Sequence, residues 1–411
     1  MTEETPLVVS PAPHNEYLPF LSPEGADALG LLLLGQAAFA LEKRLLEVSP
    51  QRVEIIIRQP FLPSVNTTEV ASELRLLFNL VLLRDFELSI RFEVSEPVQA
   101  NGQFGSANAV CLFSGGVDSV CGILETLRKT DQVHALFCSH VDQSKINGIV
   151  RRLSAKLLEP AGIKLAIFRM PEIGRGRFAQ LRGFLYLTTG LAVAWLARSA
   201  ELVVSEVGPT MYQPRFGPLD QVTLTTHPYV VERVRVISAL FLRAARIELP
   251  FENNTKAEVL AQCRRPDVIT HTHSCITQRF GRHDGTCYAC IMRRLSAVAS
   301  NVLDVEYDRD PLTDETARAD NLIDLLDYCL GMLTNYGEMP AFRRENIEIF
   351  GKRDLFRRFS LDMYSALLVL TNRGVTLARP TREYYGRALE AVGRELLNKR
   401  IEVLRSMREN V

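Results

Sequence analysis

An excess of charge of either sign is missing from this chain: Lys plus Arg and Asp plus Glu number 48 each, so the formal net charge is zero. A balanced chain has no global field to draw in nucleic acid, and direct nucleic-acid binding is not expected. The basic pairs Arg151-Arg152, Lys352-Arg353 and Arg357-Arg358 read as solvated helix faces. Long hydrophobic runs are missing too. The longest apolar tract, residues 28–41, is broken by Gln36 and is too short to span a bilayer, so it reads as a buried helix and no membrane partner is expected. No basic start followed by an apolar stretch and a small-residue cleavage site marks a secretion signal, so the expected compartment is cytoplasmic. Cysteine is sparse: eight in 411 residues cannot build a disulfide framework, and their uneven placement suggests reduced thiols plus one local site. The Gly-Lys-Ser/Thr ending of a Walker loop is absent as well, which argues against a P-loop kinase or GTPase.

What is present divides into three regions. Residues 1–105 predict an α/β appendage, with strands over 7–9, 53–58 and 86–94 and helices over 26–46 and 70–83. A linker follows over 101–106. Residues 106–308 alternate strand and helix, with strands over 110–113, 133–138, 164–168 and 202–205 and helices over 120–128, 146–158 and 184–198. This pattern predicts a parallel sheet with helices on both faces. Residues 309–411 turn helical, over 321–333, 357–370 and 381–408. Ligands of such sheets sit beyond the carboxyl ends of the strands. His140-Val141-Asp142 and Glu206 would emerge there together with the most informative stretch of the chain.

That stretch is Ser114-Gly115-Gly116-Val117-Asp118-Ser119, between the apolar run 109–113 and helically spaced Val120, Ile123, Leu124 and Leu127. A tight turn of this kind aims backbone N–H groups and a positive helix end at one point, and its glycines let an anion approach. A lone Gly-Gly would more simply join strand to helix. Serines at both ends with an aspartate inside favour a phosphate cradle.

A second cluster holds Cys275, His283, Asp284, Cys287 and Cys290, followed by Arg293. Three cysteines with a histidine or aspartate supply what a closed tetrahedral zinc site requires. The spacing leaves the fourth ligand open between His283 and Asp284, with His271 and His273 just upstream. A redox pair of Cys287 and Cys290, or plain buried thiols, are the alternatives.

The glycine turn resembles the PP-loop of the N-type ATP pyrophosphatases, an adenine nucleotide alpha hydrolase-like α/β fold. With the cysteines, the chain resembles the QueC family of 7-cyano-7-deazaguanine synthases over residues 108–300. Cys275 matches the first cysteine of that family's motif. Residues 284–293 match its Cys-Gly-x-Cys-x-x-Cys-x-x-Arg block, with Asp284 in place of one cysteine. Arg182-Gly183-Phe184 resembles its Arg-Asn block, with Gly183 in place of Asn, and Thr255-Lys256-Ala257-Glu258 its Asn/Thr-Lys-Ala-Glu element. Glu206-Val207-Gly208-Pro209 and Thr225-Thr226-His227-Pro228 look more like the longer QueC-like proteins of anti-phage systems of the Qat and CBASS kinds.

The resemblance implies ATP, Mg2+ and Zn2+ as cofactors. It implies that Ser114, Gly115, Gly116, Val117 and Ser119 hold pyrophosphate, that Asp118 orients the loop or helps hold magnesium, and that Lys256 reaches the phosphates. Glu206 joins the nucleotide site, Arg182 belongs to the catalytic set, and His227 accepts a proton near an incoming amine. The implied reaction adenylates a 7-deazaguanine carboxylate and transfers it to an amine, in the defence branch the N-terminus of a partner protein. The flanking regions would then offer docking surface. Nitrile formation with ammonia is the nearest alternative. A tRNA-modifying PP-loop enzyme and a non-catalytic nucleotide-binding scaffold are further ones, and self-association stays open.

Overall fold

The computed structural model describes residues 6–11, 15–48, 50–96, 105–140, 144–170, 180–199, 201–212, 216, 224–243, 246–276 and 282–410. Val141, Asp142 and linker residues 101–104 lie outside them. The first strands, β1 (Leu7–Val9), β2 (Arg52–Gln59) and β3 (Glu87–Val94), form a parallel sheet in the order β1-β2-β3. Parallel pairing needs crossovers, supplied by α1 (Ala26–Glu47) and α2 (Thr67–Leu82). Asn66 starts α2 by accepting from the N–H groups of Thr68 and Glu69. All five elements expected before residue 97 are therefore present.

The second sheet is also parallel. Its strands are β4 (Ala109–Leu112), β5 (Val133–His140), β6 (Lys164–Met170), β7 (Glu201–Val203) and β8 (Arg246–Glu248), in the order β6-β5-β4-β7-β8. Around it lie α3 (Val117–Thr126), α4 (Ser144–Leu153, continued by a π turn, Ser154–Leu158), α5 (Arg182–Leu196), α6 (Gly208–Met211), α7 (Pro228–Phe241), α8 (Lys256–Ala261) and α9 (Pro266–Ile269). Alternate strand residues serve opposite faces. Val110, Leu136 and Phe168 join one apolar cluster, while Cys111, Phe113, Ala135 and Phe137 pack under Val120, Ile123, Val150 and Leu153 in another. Both faces are covered, which is why these strands read as continuous apolar runs.

The first of those clusters does not stop at residue 105. It runs from Leu32, Ile55 and Leu74 into Leu185, Leu187, Leu202 and Ile237, so the N-terminal region shares one apolar core with the second sheet, α1 packing on the α5 that lies against β4 and β7. α1 and α5 meet where Gly35 faces Thr188; a Cβ at Gly35 would lie 2.0 Å from the Thr188 hydroxyl. Gln36, the polar break in the apolar tract, stays buried by donating to the Tyr17 hydroxyl at 2.6 Å.

The third region is helical: α10 (Tyr288–Ala299), α11 (Asp320–Leu333), α12 (Ala341–Ile349), α13 (Arg353–Asn372) and α14 (Arg379–Glu409), the last kinked at Gly393. α13 is buried along most of its length between α10, α11 and α14. No described helix is long and apolar enough to cross a membrane. The architecture is thus α/β, with parallel sheets flanked by helices and a distinct C-terminal helical region.

Chain order decides where a ligand can enter. From β4 the chain builds outward through β5 to β6, then returns to the other side of β4 for β7 and β8. Such a switch point opens a crevice beyond the carboxyl ends of the two strands that flank it. Here these are β4 and β7, and the next residues of each carry the glycine turn and Glu206.

Candidate nucleotide crevice and metal cluster

The glycine turn follows β4 directly. Gly115 holds φ at +77°, and a Cβ there would press on Val150 at 3.1 Å, so conformation and space both call for glycine. The Ser119 hydroxyl donates to the Gly116 carbonyl at 2.9 Å and lies 3.3 Å from that of Ser114. α3 begins at Val117 with no side chain capping its first N–H groups. Those donors and the two hydroxyls, one of which accepts from Gly116 N–H at 3.3 Å, are grouped where an anion could bind.

Across this turn, Lys256 Nζ lies 2.5 Å from each carboxylate oxygen of Asp118. Both side chains keep some exposure, 11% for Lys256 and 15% for Asp118, so the pair is not sealed from solvent. Glu206 completes the group. Burial, reinforced by the Asp118 charge and opposed by Lys256, pushes its carboxyl up to about 8. In the folded protein Glu206 therefore keeps its proton to higher pH than in the unfolded chain. Its contribution to stability is fully present below the ordinary carboxyl range and is lost as pH rises through about 8. Glu206→Gln is accordingly expected to flatten the fall in melting temperature between pH 5 and pH 8.5. A variant whose melting temperature falls as steeply as the parent's would show that Glu206 does not titrate in this window.

Lys256 is placed by its helix start. Thr255 caps α8: its hydroxyl accepts from Glu258 N–H at 3.2 Å, and the Glu258 carboxylate accepts from Thr255 N–H at 2.9 Å. The same hydroxyl donates to Asp362 of α13 at 2.5 Å. Arg400 of α14 then bridges Asp362 at 2.6 Å and Glu258 at 2.7 Å, and Arg358 adds a second contact to Glu258. Asp362 is 0% exposed, Glu258 1% and Arg400 6%. The C-terminal helices therefore grip the first turn of α8 through a buried ionic network. Sequence spacing does not point to Arg400 or Asp362.

The cysteines converge as well. One ligand atom from each of Cys275, Asp284, Cys287 and Cys290 lies within 4.8 Å of the others, a set that could hold a metal ion. The hydrogen bond with Cys275, aided by burial and opposed by the one with Cys290, pushes Cys287 up to about 11, and Cys290 is raised further by hydrogen bonds with Cys275 and Cys287. Three such thiols cannot ionise together unless a cation joins them, so the donor set fits a metal. Asp284 Oδ1 accepts from the N–H groups of Thr286 and Cys287, which fixes the turn and aims the carboxylate. Gly285 is required there: φ is +81°, and a Cβ would sit 1.7 Å from the Arg309 carbonyl.

His283 stays outside that set. Its Nε2 accepts from Ser274 N–H at 3.1 Å, and burial with the nearby Arg293 charge lowers its imidazole to about 4. His271 meets Lys156 instead, and the His273 ring lies tilted against that of His283, centroids 4.9 Å apart. Arg293, fully buried, ties Asp304 to the carbonyls of Ile269 and Thr272. The segment pinned in this way touches the glycine turn, because His273 N–H donates to the Gly115 carbonyl at 2.9 Å. A cavity of about 520 Å³ opens beside it, bounded by Arg152, Lys156, His271, His273 and Tyr307.

Arg182 opens α5, and Glu42 of α1 accepts from the preceding Gln180 and Leu181 N–H groups at 2.6 and 2.9 Å. Gly183 has a steric reason: a Cβ there would lie 1.8 Å from the Thr225 carbonyl. His227 caps α7, its Nδ1 accepting from Tyr229 N–H, with its ring packed on Phe350. Among the described contacts, none joins His227 to residues 114–119. No protein-family model matches the chain, and no curated protein matches it either.

Proposed function

We propose that this chain is an ATP-dependent, carbon–nitrogen bond-forming ligase of the PP-loop, QueC-like kind. It adenylates the carboxylate of a 7-carboxy-7-deazaguanine and passes the acyl group to an amine, the N-terminus of a partner protein. The observation that carries this reading is the Asp118–Lys256 pair, set over an uncapped glycine turn at the sheet's switch point with Glu206 beside it.

In the first step a substrate carboxylate oxygen attacks the α-phosphorus of ATP. The bond from that phosphorus to the bridging oxygen breaks, and pyrophosphate leaves. Ser114, Ser119 and the N–H groups of Gly115, Gly116 and Val117 receive the leaving group, while Lys256 offsets its charge. Asp118 and Glu206 are the carboxylates that would hold Mg2+, which supplies further charge neutralisation on the phosphates. In the second step the amine attacks the acyl carbon, AMP departs, and the amine loses a proton. Arg182, at the start of α5, is assigned to the substrate by the resemblance alone. His227, committed to capping α7, is given no step here. The metal cluster is proposed to hold zinc as a structural ion, closed by three thiolates and Asp284.

The test is release of AMP and pyrophosphate from Mg-ATP, with and without 7-carboxy-7-deazaguanine. Asp118→Ala is expected to lower the substrate-dependent rate by at least ~100-fold, the scale for removing a group that holds transition-state charge. Equal AMP release from parent and variant, or release indifferent to the deazapurine, would overturn the reading.

A further inference from the structure

Two cysteines have no part in the crevice or the metal cluster, yet they face each other. Cys121 lies one turn beyond Asp118 on α3, and Cys263 lies just past the end of α8, the helix that opens with Lys256. Both cysteines lie inside an apolar cluster that includes Val117, Phe251, Val259 and Ile269. A pit of about 20 Å³, walled by Leu124, Phe251, Gln262 and Arg264, reaches both cysteines. That volume admits a single water-sized molecule.

The pair is also asymmetric. Cys263 is drawn toward the thiolate by the hydrogen bond from Cys121, against burial and with help from a backbone N–H at Arg265. Cys121 is held as the thiol by the same contact and by burial. One sulfur suited to attack beside a second placed to resolve is the arrangement of an oxidation-sensitive dithiol.

We propose that Cys121 and Cys263 form an oxidation site at which a peroxide installs a disulfide, clamping α3 to α8 and closing the nucleotide crevice. The Cys263 thiolate attacks one peroxide oxygen; the O–O bond breaks, leaving a sulfenic acid and, after proton uptake, water. The Cys121 sulfur then attacks that of Cys263, the S–O bond breaks, and the departing hydroxide takes the Cys121 proton as a second water. Two thiols are oxidised and the peroxide is reduced to two waters. The effect on function rests on the ligase reading: Lys256 and Asp118 must part to meet phosphate and cation, and the crosslink ties their helices in the paired arrangement.

The metal-loaded full chain is treated with hydrogen peroxide, alkylated, and digested without reductant, while ATP affinity is measured on the same sample. The expected result is a peptide pair joined through Cys121 and Cys263, with affinity lowered about tenfold as the open state is depopulated and restored by dithiothreitol. Cys121→Ala should give no joined peptide and lose no affinity on peroxide treatment; Cys263→Ser serves the same purpose if that variant folds poorly. Free, alkylated Cys121 and Cys263 after peroxide would overturn the site, and a joined peptide with unchanged ATP affinity would overturn the clamp. If the reduced protein binds no ATP, the ligase reading fails while the joined peptide and slowed hydrogen exchange in α3 and α8 still decide the crosslink.

Discussion

Arg400→Met is expected to destabilise the protein by about 3–5 kcal/mol, the cost of leaving a buried ionic partner without its counter-charge. Arg400 answers two carboxylates at once, Asp362 and Glu258, and neither has water to turn to. Arg358 can still serve Glu258, so the uncompensated charge falls on Asp362. That carboxyl is raised to about 6 by burial even with Arg400 in place. Its folded value lies above its unfolded one, so the stability linked to its proton is present at low pH and lost as pH rises through about 6. The defect in Arg400→Met should accordingly be smaller at pH 5 than at pH 8, where Asp362 would be charged with only the Thr255 hydroxyl to answer it. Urea unfolding at the two pH values measures both. Adding Asp362→Leu should restore much of the loss at pH 8, because a well-packed apolar replacement of a buried ion pair is often neutral. A loss below ~0.5 kcal/mol, typical of an ordinary surface change, would mean that the network carries no weight. Since the network fixes Thr255 and Glu258, ATP turnover should fall together with stability.

That network shows where sequence reading runs out. The glycine turn was legible because its parts are adjacent: an apolar run, two glycines between serines, then helical spacing. The N-terminal elements were legible for the same reason, each being a continuous stretch of one period. β8 was missed because it is a three-residue edge strand with only Ile247 buried. α7 was missed although Pro228 at its first position and apolar Val230, Val231, Val234, Ile237 and Phe241 mark one buried face. The Asp118–Lys256 contact joins residues 138 positions apart, and no local pattern encodes such a pairing. Lys256 was singled out only by resemblance. Treating residues 1–105 as an appendage likewise followed from local pattern, which cannot show that α1 lies on α5.

The choice between His283 and Asp284 had the same origin: the two are neighbours, and only the turn decides which one faces the cysteines. The structure makes that choice testable through metal content. Asp284→Ala is expected to lose most of the bound metal, whereas His283→Ala should retain it and lose only about 1–3 kcal/mol of stability from the unanswered Ser274 N–H. Asp284→Cys should hold metal at least as well as the parent. Stripping the metal, or Cys290→Ser, should have the larger effect. Ion-dependent folding in small peptides is worth ~10–16 kcal/mol; here the loss should be smaller, because two large apolar clusters hold the rest of the chain without the ion. What a bound ion would secure is the segment from Ile269 to Cys275, whose His273 N–H holds the Gly115 carbonyl. Metal removal should therefore speed hydrogen exchange in the glycine turn and lower ATP affinity before the sheets melt. If metal leaves and the turn keeps its protection, Arg293 alone holds the segment, and the cluster has no structural hold on the crevice.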